Sequence, residues 1–292
     1  MTGAAGPAES VTIIAVVGAT AVGKSDLAVD LALEHDGEIV NADSMQVYRG
    51  MDIGTAKLPE SERRGVRHHL LDVWPVTKTA TLAEYQELAL EAIDDIRARG
   101  KVPIVVGGSG MYVHAVIDRW DIPGTDPDVR SELDAELIRV GPDVMHQRLA
   151  ELDPAAAIAI LPTNGRRIVR ALEVVAMRGS FSAHLPTFAP NPGVRLIGLR
   201  TPRPLLDQRI GQRVARMWQS GFVDEVRGLE RQGLSDGRTA SRALGYAQVL
   251  SFLAGECSED DAREETVQAT RRFARRQESW FGRDPRIVWQ NA

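Results

Sequence analysis

The run Gly18-Ala19-Thr20-Ala21-Val22-Gly23-Lys24-Ser25 sets two glycines, a lysine and a hydroxyl at the spacing G-x-x-x-x-G-K-[ST]. That combination binds phosphate. Glycines let backbone N–H groups turn toward phosphate oxygens, and a helix starting at the lysine adds partial positive charge. Lys24 supplies a full charge, and the Ser25 hydroxyl suits Mg²⁺. ATP is the default occupant of such a loop, but any diphosphate fits the same donors.

Asp43 is the second candidate, one short apolar segment downstream. A carboxylate at the end of a parallel strand reaches the ligand crevice of a doubly wound sheet. There it can ligate Mg²⁺, take a proton from a nucleophile, or cap a helix beginning at Met45. Gly107-Gly108-Ser109-Gly110-Met111-Tyr112 also follows a strand. Its small residues admit a ligand or another backbone, and Ser109 can hydrogen-bond a phosphate or a base.

These residues need a scaffold, and the pattern supplies one. Residues 11–17 are apolar and largely β-branched, and residues 24–33 are helical in period. Residues 38–42, 69–73 and 102–106 read as further strands, and residues 82–99 as an amphipathic helix stopped by Gly100. The alternation predicts an α/β fold, a P-loop NTPase-like parallel sheet flanked by helices. Residues 121–127 are turn-rich, and residues 129–178 show helical periodicity without a strand. A loose stretch, 180–193, then leads to a strand at 194–199. The simplest account is an α/β core of residues 1–120 and 186–292, interrupted by an all-helical insertion at 121–185. Residues 205–232 and 259–281 read as two long helices.

Composition sets outer limits. The 292 residues are 43% hydrophobic, enough for one or two packed cores. Net charge is −5, so the whole chain is not a basic nucleic-acid binder. The charge is uneven: residues 195–292 hold 17 Lys+Arg against 13 Asp+Glu, net +4, while the rest is net −9. A polyanion therefore favours the C-terminal third. The single cysteine, Cys257, excludes an internal disulfide or a cysteine metal cluster and suits the cytoplasm. Residues 1–10 lack the basic start of a signal peptide, and no apolar run approaches the roughly 20 residues that span a bilayer. No heptad seam stands out, which predicts a monomer.

Several segments together resemble the tRNA dimethylallyltransferases. The most specific is Asp43-Ser44-Met45-Gln46-Val47-Tyr48-Arg49-Gly50-Met51-Asp52-Ile53-Gly54-Thr55-Ala56-Lys57. Arg67-His68-His69-Leu70-Leu71-Asp72, the Gly107 to Tyr112 block, Arg167-Ile168-Val169-Arg170-Ala171-Leu172-Glu173-Val174, Ala243-Leu244-Gly245-Tyr246 and Phe273-Ala274-Arg275-Arg276-Gln277 follow in order. The resemblance runs over nearly the whole chain, residues 11–289.

The resemblance implies that Gly18 to Ser25 hold the diphosphate of dimethylallyl diphosphate, with Mg²⁺ at Ser25 and with Lys24 and Arg213 as catalytic partners. It implies that Asp43 takes a proton from N6 of adenine 37, beside the tRNA anticodon. The tRNA surface it implies comprises Asp43, Ser44, Met45, Gln46, Ser109, Arg130, Arg166, Arg167, Ile168, Val169, Arg170, Arg242, Gly245, Tyr246, Arg275, Arg276 and Gln277, with the helical insertion gripping the anticodon stem-loop. The chain departs from the family pattern at Ser109, where Thr is usual, at Val22, where Ser or Thr is common, and at Gly282, where Arg is common. Without the resemblance, two other classes share the P-loop: a small-molecule or nucleotide kinase, with Asp43 as base toward a hydroxyl, and a nucleotide-switched RNA binder without chemistry.

Overall fold

The computed structural model describes residues 13–183, 188 and 191–292. Two compact units emerge, residues 1–119 with 188–292, and residues 120–187. In chain order the elements are β1 (Ile13–Gly18), α1 (Lys24–Glu34), β2 (Gly37–Asn41), β3 (His68–His69), α2 (Leu82–Ala98), β4 (Val102–Gly107), α3 (Gly110–Ile117), α4 (Pro127–Leu152), α5 (Pro154–Ala159), α6 (Gly165–Arg178), β5 (Val194–Arg200), α7 (Arg203–Gln219), α8 (Phe222–Glu230), α9 (Tyr246–Leu253), α10 (Glu259–Phe281) and β6 (Val288–Asn291), with short 3₁₀ turns between.

The larger unit is built on a six-stranded parallel sheet in the order β3-β2-β4-β1-β5-β6. Successive strands from β1 step first to one side and later to the other. That leaves a crevice outside the carboxyl ends of β1 and β4, where doubly wound sheets bind ligands. The period of two in β1 divides the core. Ile13, Ala15 and Val17 pack under α2, α3 and the C-terminal helices, while Ile14 and Val16 pack under α1. Glu38 in the middle of β2 is the buried exception. Arg99 and His69 bond its carboxylate, and the Arg99 bond above all holds it down to about 2.

The smaller unit is all helical. α4 starts at an Asp126 cap whose carboxylate accepts from the Asp128 and Val129 amides, and it kinks at Gly141-Pro142. Asp153 caps α5 and Asn164 caps α6. Leu133, Met145, Leu149, Ile168, Val169 and Leu172 form its core.

Four elements differ from the sequence expectations. The strand expected over 69–73 ends after His69, because Leu70 (φ 64°) and Asp72 (φ 58°) lie in the left-handed region that no strand contains. The helix expected over 205–232 is two helices, broken at Gly221, whose φ of 90° turns the chain between α7 and α8. α9 and β6 carried no clear sequence signal and form by docking on the core. Residues 1–12, and residues 184–187 and 189–190 of the loose stretch, fall outside the described residues.

Candidate active site

The phosphate loop is built as its sequence requires. Gly18 ends β1 at φ 141°, and a Cβ there would meet the Leu199 carbonyl oxygen at 2.5 Å. Only glycine lets β1 and β5 stay this close as the chain turns. Ala21 adopts φ 66°, Gly23 precedes α1, and Lys24 and Ser25 open the helix. Lys24 Nζ donates to Ala19 O at 2.7 Å, curling its ammonium back over the loop. Desolvation, then repulsion from Arg213, lowers Lys24 from 10.5 to about 8, while Asp43 pulls the other way. An ammonium within electrostatic reach of a second cation is poised for an anion.

That second cation is Arg213 on α7. Its guanidinium donates to Thr20 Oγ1 at 3.2 Å, and burial followed by repulsion from Arg216 lowers its pKa. Arg209, Arg213 and Arg216 line an open cleft of about 630 Å³ together with the loop residues Ala21 to Gly23, with Asp26 and Asp30 of α1, and with the end of β6. Sequence reading missed Arg209 and Arg216. Their signal was an arginine at i, i+4 and i+7 of one helix, which puts three cations on one face.

Asp43 lies just past β2, half-buried, close enough for its charge to reach Lys24, Arg213, Tyr85 and Tyr112. The helix that it might have capped does not form. Residues 44–47 make a turn, and Oδ1 accepts from the Met45 amide at 2.8 Å. The turn wins because Tyr48 must pair with Trp74, and Lys57 closes the segment by bonding Tyr48 O (3.1 Å), Asp52 (2.5 Å) and Asp72 (2.6 Å). Ser109 Oγ accepts from the Ser44 amide and donates to Ser44 Oγ, both at 3.2 Å. The turn after β4 thus steadies the turn that carries Asp43. Tyr85 and Tyr112 stack nearby, with ring centroids 4.3 Å apart. Burial first, with Asp43 contributing, raises both hydroxyls, so they stay protonated donors.

Ser25 is exposed at the head of α1, and no side-chain hydrogen bond engages it among the described residues. No cluster of three metal-binding side chains exists among them either. One hydroxyl beside a phosphate cradle fits Mg²⁺, which keeps waters and takes most of its other ligands from phosphate oxygens.

The expected RNA-facing residues divide. Arg166 and Arg167 are exposed on α6 of the helical unit, and Arg242, Arg275 and Arg276 are exposed in the larger unit. Several others lie inside the fold or are bonded within it. Ile168 and Val169 are fully buried, because the 3.6-residue period turns them into the core of the helical unit. Arg170 is spent on Pro123 O, Gly124 O and Glu173, and Arg130 on Glu173 and Asp134. Tyr246 is fully buried, its hydroxyl donating to Glu225 at 2.6 Å. Gly245 is buried at the head of α9, and Gln277 is buried against the phosphate loop. Gln46 donates to Thr55 O at 3.1 Å, and Met45 is packed on the main core.

Glu225 is a further residue that no motif announced. Its carboxylate accepts from the Asp52, Ile53 and Gly54 amides at 3.1, 2.7 and 3.2 Å, as well as from Tyr246. It fixes the far end of the segment that begins at Asp43. At Gly282 the backbone is ordinary right-handed helix, and Arg283 beside it stacks on Trp280 at 4.9 Å.

Residues 46–284 match the IPP transferase family. Among curated relatives, the tRNA dimethylallyltransferase of Thermobifida fusca is 66% identical over 95% of this chain and 89% of its own length. That of Acidothermus cellulolyticus is 62% identical over 96% and 89%. A full-length tRNA isopentenylpyrophosphate transferase from Bacillus halodurans superposes with TM-score 0.71 at 38% identity, covering 97% of this chain and 90% of that one. A eukaryotic dimethylallyltransferase acting on tRNA gives TM-score 0.76 at 26% identity, covering 96% and 73%. With a match over residues 46–284 and that kinship over nearly its whole length, this chain belongs to the IPP transferase family.

Proposed function

We propose that this chain transfers the dimethylallyl group of dimethylallyl diphosphate to N6 of adenine 37 in tRNA, releasing diphosphate. The observation that carries the reading is the loop at the end of β1, where Arg213 bonds Thr20, with the Asp43 carboxylate just past β2 on the other side of β4. The names of the relatives supply the acceptor and the donor class.

The chemistry follows from the charges. The loop amides, Lys24 and Arg213 receive the donor diphosphate. As the bond from allylic carbon to oxygen stretches, negative charge grows on the diphosphate, where two cations already wait. Mg²⁺ bound by Ser25 would supply further charge neutralisation on those oxygens. The allylic carbon becomes cationic and bonds to N6. That amine is weak because its lone pair is delocalised into the ring, so loss of a proton must accompany bond formation. Asp43 accepts that proton through the carboxylate oxygen that no backbone amide holds. The adenine leaves its stack to reach the crevice, at a cost of about a few kcal/mol that is smaller in a loop than in a duplex. Arg242, Arg275 and Arg276 of the larger unit, and Arg166 and Arg167 of the helical unit, are exposed cations for RNA phosphates.

The direct test combines protein, Mg²⁺, unmodified tRNA and dimethylallyl diphosphate, followed by nucleoside mass analysis. A parallel tube carries ATP instead of the allylic donor. An adenosine heavier by one dimethylallyl group in the first tube alone is expected. ATP consumption in the second, with no mass change in the first, would replace this reading by the kinase. With Asp43→Ala, tRNA binding should persist and turnover should fall by roughly 10²-fold or more. Wild-type turnover would remove Asp43 as the base.

A further inference from the structure

We infer that Gln277 is a positioning residue that couples RNA binding on α10 to the shape of the diphosphate loop. The inference rests on the proposed transfer to tRNA for the identity of the two ligands. Gln277 is 5% exposed, yet it directly follows the exposed Arg275 and Arg276. Both ends of its side-chain amide are engaged, and neither partner lies in its own helix. Oε1 accepts from the Thr20 amide at 2.8 Å, and Nε2 donates to Gly108 O at 2.9 Å. A Cβ on Gly108 would meet Nε2 at 2.2 Å, so the approach requires glycine there.

Both partners belong to the site. Thr20 lies inside the phosphate loop, and its hydroxyl accepts from Arg213. Gly108 precedes Ser109, which bonds the Ser44 turn beside Asp43. One amide group therefore ties the donor's loop to the turn that steadies the acceptor's carboxylate. It also spends a loop N–H that would otherwise be free for phosphate, which fixes the entry limb of the loop while the later amides stay available.

The mount for this amide is stiff. α10 runs 23 residues from a Ser258–Asp261 capping box. Its inward face buries Ala274, Gln277 and Phe281, while Arg272, Arg275 and Arg276 stand outward. Neutralising the outward arginines with RNA phosphates holds α10 in one position, and Gln277 passes that position to Thr20 and Gly108. Donor site and RNA should then bind with mutual reinforcement, of equal size in both directions.

The test uses the full chain with inorganic pyrophosphate and Mg²⁺ as the donor-site probe, and an anticodon stem-loop hairpin as the RNA. In the wild type, saturating hairpin should tighten pyrophosphate about fivefold or more, and pyrophosphate should tighten the hairpin by the same factor. Gln277→Met keeps the length and volume of the side chain but neither hydrogen bond. In it both ligands should still bind, with the factor falling to about one. At saturating RNA its KM for the allylic diphosphate should rise by the lost factor while kcat changes less. A full wild-type factor in Gln277→Met, or no coupling in the wild type, overturns the inference. Where the variant fails to fold, amide exchange at Thr20 in the wild type decides: hairpin should slow it, and an unchanged rate overturns the coupling. These binding readings stand whether or not prenyl transfer occurs. Absent transfer sinks the functional reading, and absent coupling with transfer intact sinks only this one.

Discussion

Lys24→Met should make the protein more stable and nearly inactive. The folded protein holds Lys24 near 8 against 10.5 for the ordinary side chain, chiefly through desolvation and Arg213. At about 1.36 kcal/mol per pH unit, keeping that ammonium charged in the fold costs roughly 3 kcal/mol at neutral pH. Losing the bond to Ala19 O returns about 1 kcal/mol, and screening of a half-buried side chain reduces the rest. The net expectation is a gain of about 1–2 kcal/mol, or roughly 2–8 °C in Tm. The folded state binds this proton less tightly than the unfolded chain. The penalty is therefore full below pH 8 and fades as pH rises from 8 toward 10.5. Urea unfolding of both proteins at pH 7 and pH 10 measures this, since all other titrations are shared and cancel. Pyrophosphate calorimetry on the same samples should show binding in the wild type alone. A variant less stable than wild type at pH 7, or an advantage independent of pH, would refute the electrostatic account of the loop.

Two substitutions test the buried residues of the expected RNA surface. Tyr246→Phe removes one of four bonds to the Glu225 carboxylate and should cost about 1–3 kcal/mol in denaturant unfolding. Its RNA affinity should match wild type, and a specific loss of RNA binding would return Tyr246 to the interface. Ile168→Ala empties a fully buried position in the helical unit and should cost about 2–5 kcal/mol. A change near zero would mean that the helical core is not packed as described. Arg275→Ala, by contrast, should leave stability untouched. It should also lower the slope of log affinity against log salt by about 0.7–0.9, the share of one phosphate contact. An unchanged slope would leave Arg275 without an RNA role.

The sequence by itself determined the chemistry of the phosphate loop. Eight consecutive residues carry their own geometry there, because glycines, a following helix and a lysine act over a single turn. It also determined the α/β class, since apolar runs and helical periods are local patterns. The runs of residues 11–17 and 102–106 became adjacent strands, β1 and β4, and the polar linker at 121–127 leads into the helical unit. Resemblance added Asp43, which spacing alone left open between a base, a metal ligand and a helix cap.

Only the tertiary structure decided which members of each motif stay exposed and which are built into the scaffold. Arg167-Ile168-Val169-Arg170 reads as one basic block, but helical rotation sends Arg167 outward, buries Ile168 and Val169, and turns Arg170 onto backbone carbonyls. Lys57, Tyr246 and Gln277 look like surface polar residues in the sequence, yet each is buried and bonds a partner 15, 21 and 169 residues away. Glu225 carried no motif and acquired its role from the three amides and the hydroxyl that fold onto it. Local sequence sets periodicity and turn chemistry, but burial and partner choice are properties of surfaces that meet only after the chain has folded.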